Sequence, residues 1–218
     1  MSVPRAERPD LPEYMTWEEL ERLPEEIAEQ IELWEGRVVW MRRGPREHQR
    51  FTRRIVNEIE RCARADMSVR PEGCWEAEFE TNVFLGTNGK SDFLTPDFLV
   101  HRCLPPYQDV RAADTLLVGE VLSPSNTAPV LAAKAARYAK AGIPWYWEVT
   151  LKADVSAIAF IRAYGLETGY AQLPDGVRPL HPAAYRLVGE WANGGEKEEN
   201  VSFTHPFPID IPWTALAF

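Results

Sequence analysis

Thr95-Pro-Asp97-Phe-Leu-Val-His101, then Leu116-Leu-Val-Gly-Glu120-Val-Leu-Ser-Pro-Ser125, then Lys134-Ala-Ala-Arg-Tyr-Ala-Lys-Ala-Gly142: these three pieces decide how the chain is read. The first two are short apolar runs that each carry one carboxylate. The third is an amphipathic segment headed by a lysine. Thr115 to Leu122 is almost unbroken apolar sequence, which predicts a central strand covered on both faces. Ser123-Pro-Ser-Asn-Thr-Ala-Pro129 reads as a loop and cap, followed by a helix to Ala141 that Gly142 and Pro144 end. Trp145-Tyr-Trp-Glu-Val-Thr150 is the next strand. A strand, helix and strand at this spacing form a crossover unit, so the strands at 116–122 and 145–150 are expected to be parallel. Two acids at strand ends and a lysine on the following helix suggest a metal-bound centre for hydrolysing phosphodiesters.

Working outward, Thr16-Trp-Glu-Glu19 is a capping-box signature for a helix from Trp17 to about Leu23, with a further turn toward Ala28. Ile31 to Met41 reads as a hairpin turning at Glu35-Gly36, with Glu32 on the face opposite Ile31 and Leu33. Pro45 introduces a helix over roughly Arg46 to Ala65, and Phe51, Ile55, Ile59 and Cys62 form its buried stripe. Arg50, Arg54, Arg61 and Arg64 lie mostly off that stripe, either as a solvated face or as contacts to backbone phosphate. Glu72 to Leu85 is strand-like. Later come a strand from Ala157 to Ala163, a hairpin around Glu167-Thr-Gly169, a strand near Tyr185 to Val188 and a polar loop from Trp191 to Asn200. A tail from Phe203 to Phe218 is expected to pack on the body or on a partner. The expected organisation is a flexible arm over 1–15 and a single domain over 16–218.

The net charge of -9 argues against a tight, non-specific coat on nucleic acid. The charge is uneven, however. Residues 1–36 hold 11 acidic and 3 basic side chains, and residues 37–70 hold 10 arginines against 4 acids, so a local basic rim remains open. No apolar run approaches the roughly 20 residues of a membrane span, and the first ten residues lack the apolar core of a signal peptide. Cys62, Cys74 and Cys103 are read as neither a disulfide framework nor a zinc pattern, which places the chain in a reducing cytoplasm.

Asp97 after a proline, Glu120 in a strand and a nearby lysine resemble the PD-(D/E)XK nuclease superfamily. More closely, the chain is similar to a bacterial family of "putative restriction endonucleases" of unknown function. That similarity is carried by Met15-Thr-Trp-Glu-Glu-Leu20, Glu32-Leu-Trp-Glu-Gly36, Glu47-His-Gln49, Pro96-Asp97, Glu120-Val-Leu-Ser-Pro-Ser125, Lys134 with Tyr138, and Gly142-Ile-Pro-Trp-Tyr-Trp147. It spans most of residues 15–150. The resemblance implies a mixed α/β, restriction-endonuclease-like fold: a central mixed β-sheet flanked by helices, with additional antiparallel strands. It also implies DNA as the partner.

As hard oxygen ligands, Asp97 and Glu120 suit Mg2+ or Mn2+; their alternative role is strand-end hydrogen bonding. A carboxylate within Leu116–Leu122 would be costly to bury without a metal or another cation. By resemblance, the lysine that the simplest family motif places two residues after the second acid, where Leu122 stands here, has moved to Lys134. Glu32 matches an early acidic position and is expected to complete the metal shell or to face elsewhere. His48 and Gln49, with Arg50 and Arg54, are the substrate-side candidates, His48 having a packed structural role as its alternative. Lys140 suits a helix end, and Ser123 and Ser125 are loop and cap hydroxyls without a His–Asp partner pattern. The family often carries an acid where Thr150 stands, which withdraws any outer role there. The expected function is a divalent-metal-dependent DNA endonuclease. Its alternatives are a catalytically silent nucleic-acid-binding or assembly protein, and a hydrolase of small phosphorylated ligands. A homodimer is expected because cutting a duplex takes two cuts.

Overall fold

The computed structural model describes residues 9–41, 44–86, 89–122, 127–167, 182–194 and 200–217. Its centre is a six-stranded mixed sheet. The strands are β3 (Trp75–Phe79), β6 (Phe98–Arg102), β7 (Thr115–Leu122), β8 (Trp145–Leu151), β9 (Ile158–Leu166) and β10 (Tyr185–Ala192). They lie in the order β10-β9-β8-β7-β6-β3, which puts β7 in the interior of the sheet as its apolar sequence predicts. The β7–β8 pair is parallel, with Glu120 beside Glu148, and the other neighbours are antiparallel.

Two helices cover the sheet, and each is shaped by its sequence. On one face lies α3 (Arg46–Val69), N-capped by Pro45 and ended at Arg70, just before Pro71. Its stripe Phe51, Ile55 and Ile59 packs on Phe98, Val100, Leu117, Val121 and Trp147. The helix runs four residues past the expected Ala65, because Asp66 is buried and accepts hydrogen bonds from Arg70 and the Trp75 indole. On the other face α4 (Ala128–Lys140) carries Tyr138 against Val118 and Tyr146. It ends at Gly142, whose φ of 83° is the left-handed value that glycine accepts without strain.

A second, four-stranded sheet has the order β2-β1-β5-β4, from β1 (Ile31–Trp34), β2 (Arg37–Trp40), β4 (Val83–Phe84) and β5 (Phe93–Leu94). Glu35 and Gly36 both take positive φ, which makes the tight two-residue hairpin read from the sequence. Short helices α1 (Trp17–Leu20) and α2 (Glu25–Ala28) cover this sheet, and the Thr16–Glu19 capping box forms. Residues 13–15 of the expected arm lie along β2: Val38 N–H donates to the Glu13 carbonyl, Met15 N–H donates to the Gly36 carbonyl, and Met15 is buried. The C-terminal segment forms β11 (Val201–Phe203), β12 (Ile209–Ile211) and α5 (Trp213–Leu216), and it buries Phe203, Phe207, Ile209 and Leu216 in the α3 layer.

Three local readings need correction. Glu72 to Leu85 is two strands, because Glu80 sits at φ 49° and turns the chain between them. Trp191 and Ala192 extend β10 instead of opening a loop. Cys74 and Cys103 form a disulfide, with Cα atoms 5.3 Å apart. They flank the antiparallel pair Trp75–Arg102 at the ends of β3 and β6, a proximity that a separation of 29 residues hides. The argument from unpaired cysteines to a reducing compartment is thereby removed. The hairpin expected around Thr168-Gly169, and Ser123 and Ser125, lie outside the described residues. Among the described residues no helix is long and apolar enough to cross a membrane.

Candidate active site

The two sheets meet where β1 and the start of β6 approach the C-terminal half of β7. The cleft there has a volume of about 1130 Å3, and Glu32, His48, Asp97, Glu120 and Lys134 line it. All four acid and lysine candidates from the sequence are thus brought together. The fold explains how. Phe98 pairs with Gly119, so Asp97 and Glu120 arrive on neighbouring strands one residue beyond that pair. Glu120 lies two residues beyond Val118 on the same face of β7 and therefore faces α4, where Lys134 projects back toward the sheet. The Lys134 ammonium lies 3.0 Å from Glu120 Oε1, 3.3 Å from Glu120 Oε2 and 3.1 Å from Glu32 Oε1. One helical turn on, the Tyr138 hydroxyl donates to Glu120 Oε1 at 2.8 Å.

Asp97 is held separately. The Val121 N–H donates to its Oδ2 at 2.6 Å, and His48 Nε2 stands 3.1 Å from the same oxygen. The hydrogen bonds it receives from described residues both fall on Oδ2, which leaves Oδ1 for a cation. Glu32 is enclosed: the Thr95 N–H donates to Oε1 and the Trp34 indole donates to Oε2, each at 2.9 Å.

Burial and crowding set the charges. Glu120 is 2% exposed, and burial, reinforced by Asp97 and Glu32, pushes its carboxyl up to about 7 against the pull of Lys134. Burial alone would favour a neutral Lys134; Glu120, Glu32 and Asp97 together outweigh it and hold the ammonium charged. Burial likewise opposes charge on His48, yet its contact with Asp97 raises its pKa. The centre therefore gathers three carboxylates around one lysine and one histidine, a surplus of negative charge that a divalent cation would offset.

The donor set fits such a cation. Among the described residues no three His, Cys, Asp or Glu side chains form a ready cage. Mg2+ does not need one, because it binds through one or two carboxylates and completes its octahedron with water and phosphate oxygens. A structural zinc site would need four protein ligands.

Of the substrate-side candidates, only His48 lines the cleft, and it does so while bound to Asp97. Gln49 donates to Glu80 on the cleft wall. Arg54 donates to the Ala215 carbonyl in the C-terminal segment, 3.2 Å away. Arg61 and Arg64 pair with Glu58 and Glu60 on their own helix. Residues given no role from the sequence turn out to shape the site: Tyr138, Trp34, and the N–H groups of Thr95 and Val121. Tyr138 and Trp34 left a signal only as members of the family-like segments around Lys134 and Glu32, with no role attached to either.

A family model described as "Putative restriction endonuclease" matches residues 17–159. Among solved structures, a putative nuclease of a domain family of unknown function from Anabaena variabilis is similar, with a TM-score of 0.53 at 16% identity. The alignment covers 93% of this chain and 97% of that one, a likeness of fold. No curated protein matches the chain.

Proposed function

Because the chain belongs to the putative restriction endonuclease family, whose model matches residues 17–159, we propose that it is a divalent-metal-dependent DNA endonuclease with its centre at Asp97, Glu120 and Lys134. The observation that carries this reading is the crowding of buried carboxylates beside an Asp97 oxygen that receives no hydrogen bond from described residues.

In this reading Asp97 and Glu120 hold Mg2+ or Mn2+. When bound, that ion supplies charge neutralisation at a phosphate and acidifies a water. Lys134 offers an N–H to a non-bridging phosphate oxygen, where it stabilises charge that develops during attack. His48 and the Val121 N–H keep Asp97 in one orientation, and Tyr138 does the same for Glu120. Arg54 also donates to the Ala215 carbonyl and so ties the C-terminal segment to α3, while His48 at the cleft is the substrate-side candidate nearest the proposed centre. Cutting both strands of a duplex calls for two such centres, so a homodimer belongs to the reading; light scattering that returns a monomer mass at every concentration would remove it.

The test is cleavage of supercoiled plasmid and of single-stranded circles with Mg2+ or Mn2+. Wild type should cut, and Asp97→Ala and Lys134→Ala should lose at least about a hundredfold in rate, the scale of removing one transition-state stabiliser. Cutting by Asp97→Ala at the wild-type rate would refute the assignment.

A further inference from the structure

We infer that Glu32 is a positioning residue for Lys134, committed to hydrogen bonds that keep it from serving as a ligand of the cation. The inference deepens the nuclease reading above and rests on it.

The argument starts from lone pairs. A carboxylate has about four acceptor sites. On Glu32 three are taken: Oε1 by the Thr95 N–H at 2.9 Å and by Lys134 at 3.1 Å, and Oε2 by the Trp34 indole at 2.9 Å. The side chain is 1% exposed, so its charge is met by these protein donors and hardly by solvent. The anchors are rigid. Trp34 lies two residues further along β1, with the Arg137 guanidinium 5.4 Å over its ring. Thr95 directly precedes the Pro96-Asp97 step and fixes its own hydroxyl on Asn82 at 2.7 Å. What separates Glu32 from Glu120 is the kind of partner. Each Glu32 oxygen is held by a donor fixed to the sheet, a main-chain N–H on one and the β1 indole on the other. Glu120 is held by the side-chain ends of Lys134 and Tyr138 on α4, which can turn away from one oxygen. Asp97 differs: its side chain is 18% exposed, and its described hydrogen bonds all fall on one oxygen.

The effect of Glu32 is therefore exerted through Lys134. Glu32 and Glu120 hold the ammonium from two sides, so the direction in which its N–H groups point toward a substrate oxygen depends on both. Without Glu32 the lysine would collapse onto Glu120 alone.

The deciding experiment locates Mn2+ by anomalous scattering in manganese-soaked crystals of the wild-type protein. Asp97 and Glu120 oxygens are expected at roughly 2 Å from the ion. Glu32 should stay within hydrogen-bond distance of the Thr95 nitrogen and Lys134 Nζ. Coordination of the ion by a Glu32 oxygen would overturn the inference. The metal-free protein gives an independent reading through the 1H–15N correlation of the Lys134 ammonium, which slow exchange should make visible in wild type. That peak should shift or vanish in Glu32→Gln and also in Trp34→Phe, which keeps the charge and stands in should the first variant fail to fold. An unchanged peak in a folded variant would overturn the inference as well. Crystals that take up no Mn2+ would sink the cation site while leaving the ammonium signal to decide the role of Glu32.

Discussion

In the proposed role Glu120 carries opposing demands: a charged carboxylate would hold the cation, yet β7 buries it among other acids. Its carboxyl is pushed up to about 7, whereas an unfolded glutamate ionises near 4.5. As pH rises from 4.5 the unfolded chain gives up this proton first. The stability that Glu120 contributes is therefore full below about 4.5 and is lost as pH passes 7. Glu120→Gln, which cannot ionise, should abolish cleavage and yet gain on wild type by about 1–3 kcal/mol between pH 5 and pH 8 without metal. Parallel urea titrations at the two pH values read this difference directly. A variant that loses ground to wild type over that interval would show that Lys134 fully compensates the buried charge. That Asp97, Glu120 and Lys134 share one cleft was foreseeable in part: Glu120 stands out as a carboxylate within an apolar strand, and Asp97 and Lys134 stand out by their resemblance to the family motif. The grip of Thr95 and Trp34 on Glu32 was not, since one is a main-chain donor and the other an indole in an ordinary hairpin.

At the scale of elements, β7 and the disulfide each set a testable limit. A Cβ on Gly119 would stand 2.0 Å from the Phe98 ring, so the β6–β7 register that delivers Asp97 to Glu120 depends on a residue without a side chain. Gly119→Ala should cost about 1–3 kcal/mol or more through overpacking, and adding Phe98→Leu should recover part of that in thermal melts; a neutral Gly119→Ala would show that the ring moves freely. Cys74–Cys103 closes a loop across the edge strand β3. Its reduction should cost about 3–4 kcal/mol and raise amide exchange first in β3; identical melts with and without reductant would remove the bond from the stability of the fold. The parallel β7–β8 unit was legible because crossover length and apolar run agree. The α3 extension was not, because it depends on a buried aspartate satisfied from β3, a contact between distant segments. The Glu72–Leu85 break was hidden for a related reason: Glu80 takes a left-handed conformation that glutamate rarely adopts.

At the scale of the molecule, charge and position act together. The first 36 residues hold 11 acidic against 3 basic side chains, and their strand β1 delivers Glu32 to the centre while their helices α1 and α2 border the same cleft. The basic stretch that follows forms α3, and there Arg61 and Arg64 are neutralised by helix acids. In the proposed reading, affinity for DNA would rest on the cleft and its cation more than on Arg61 and Arg64. That makes metal binding the pivot of the account. Calorimetric titration of Mn2+ into the wild-type protein and into Asp97→Asn tests it most directly. The account predicts saturable binding in wild type and a loss of at least about tenfold in affinity in the variant, as expected when a hard-cation site loses one of two carboxylates. Equal affinities, or no binding to a folded wild-type protein, would contradict it.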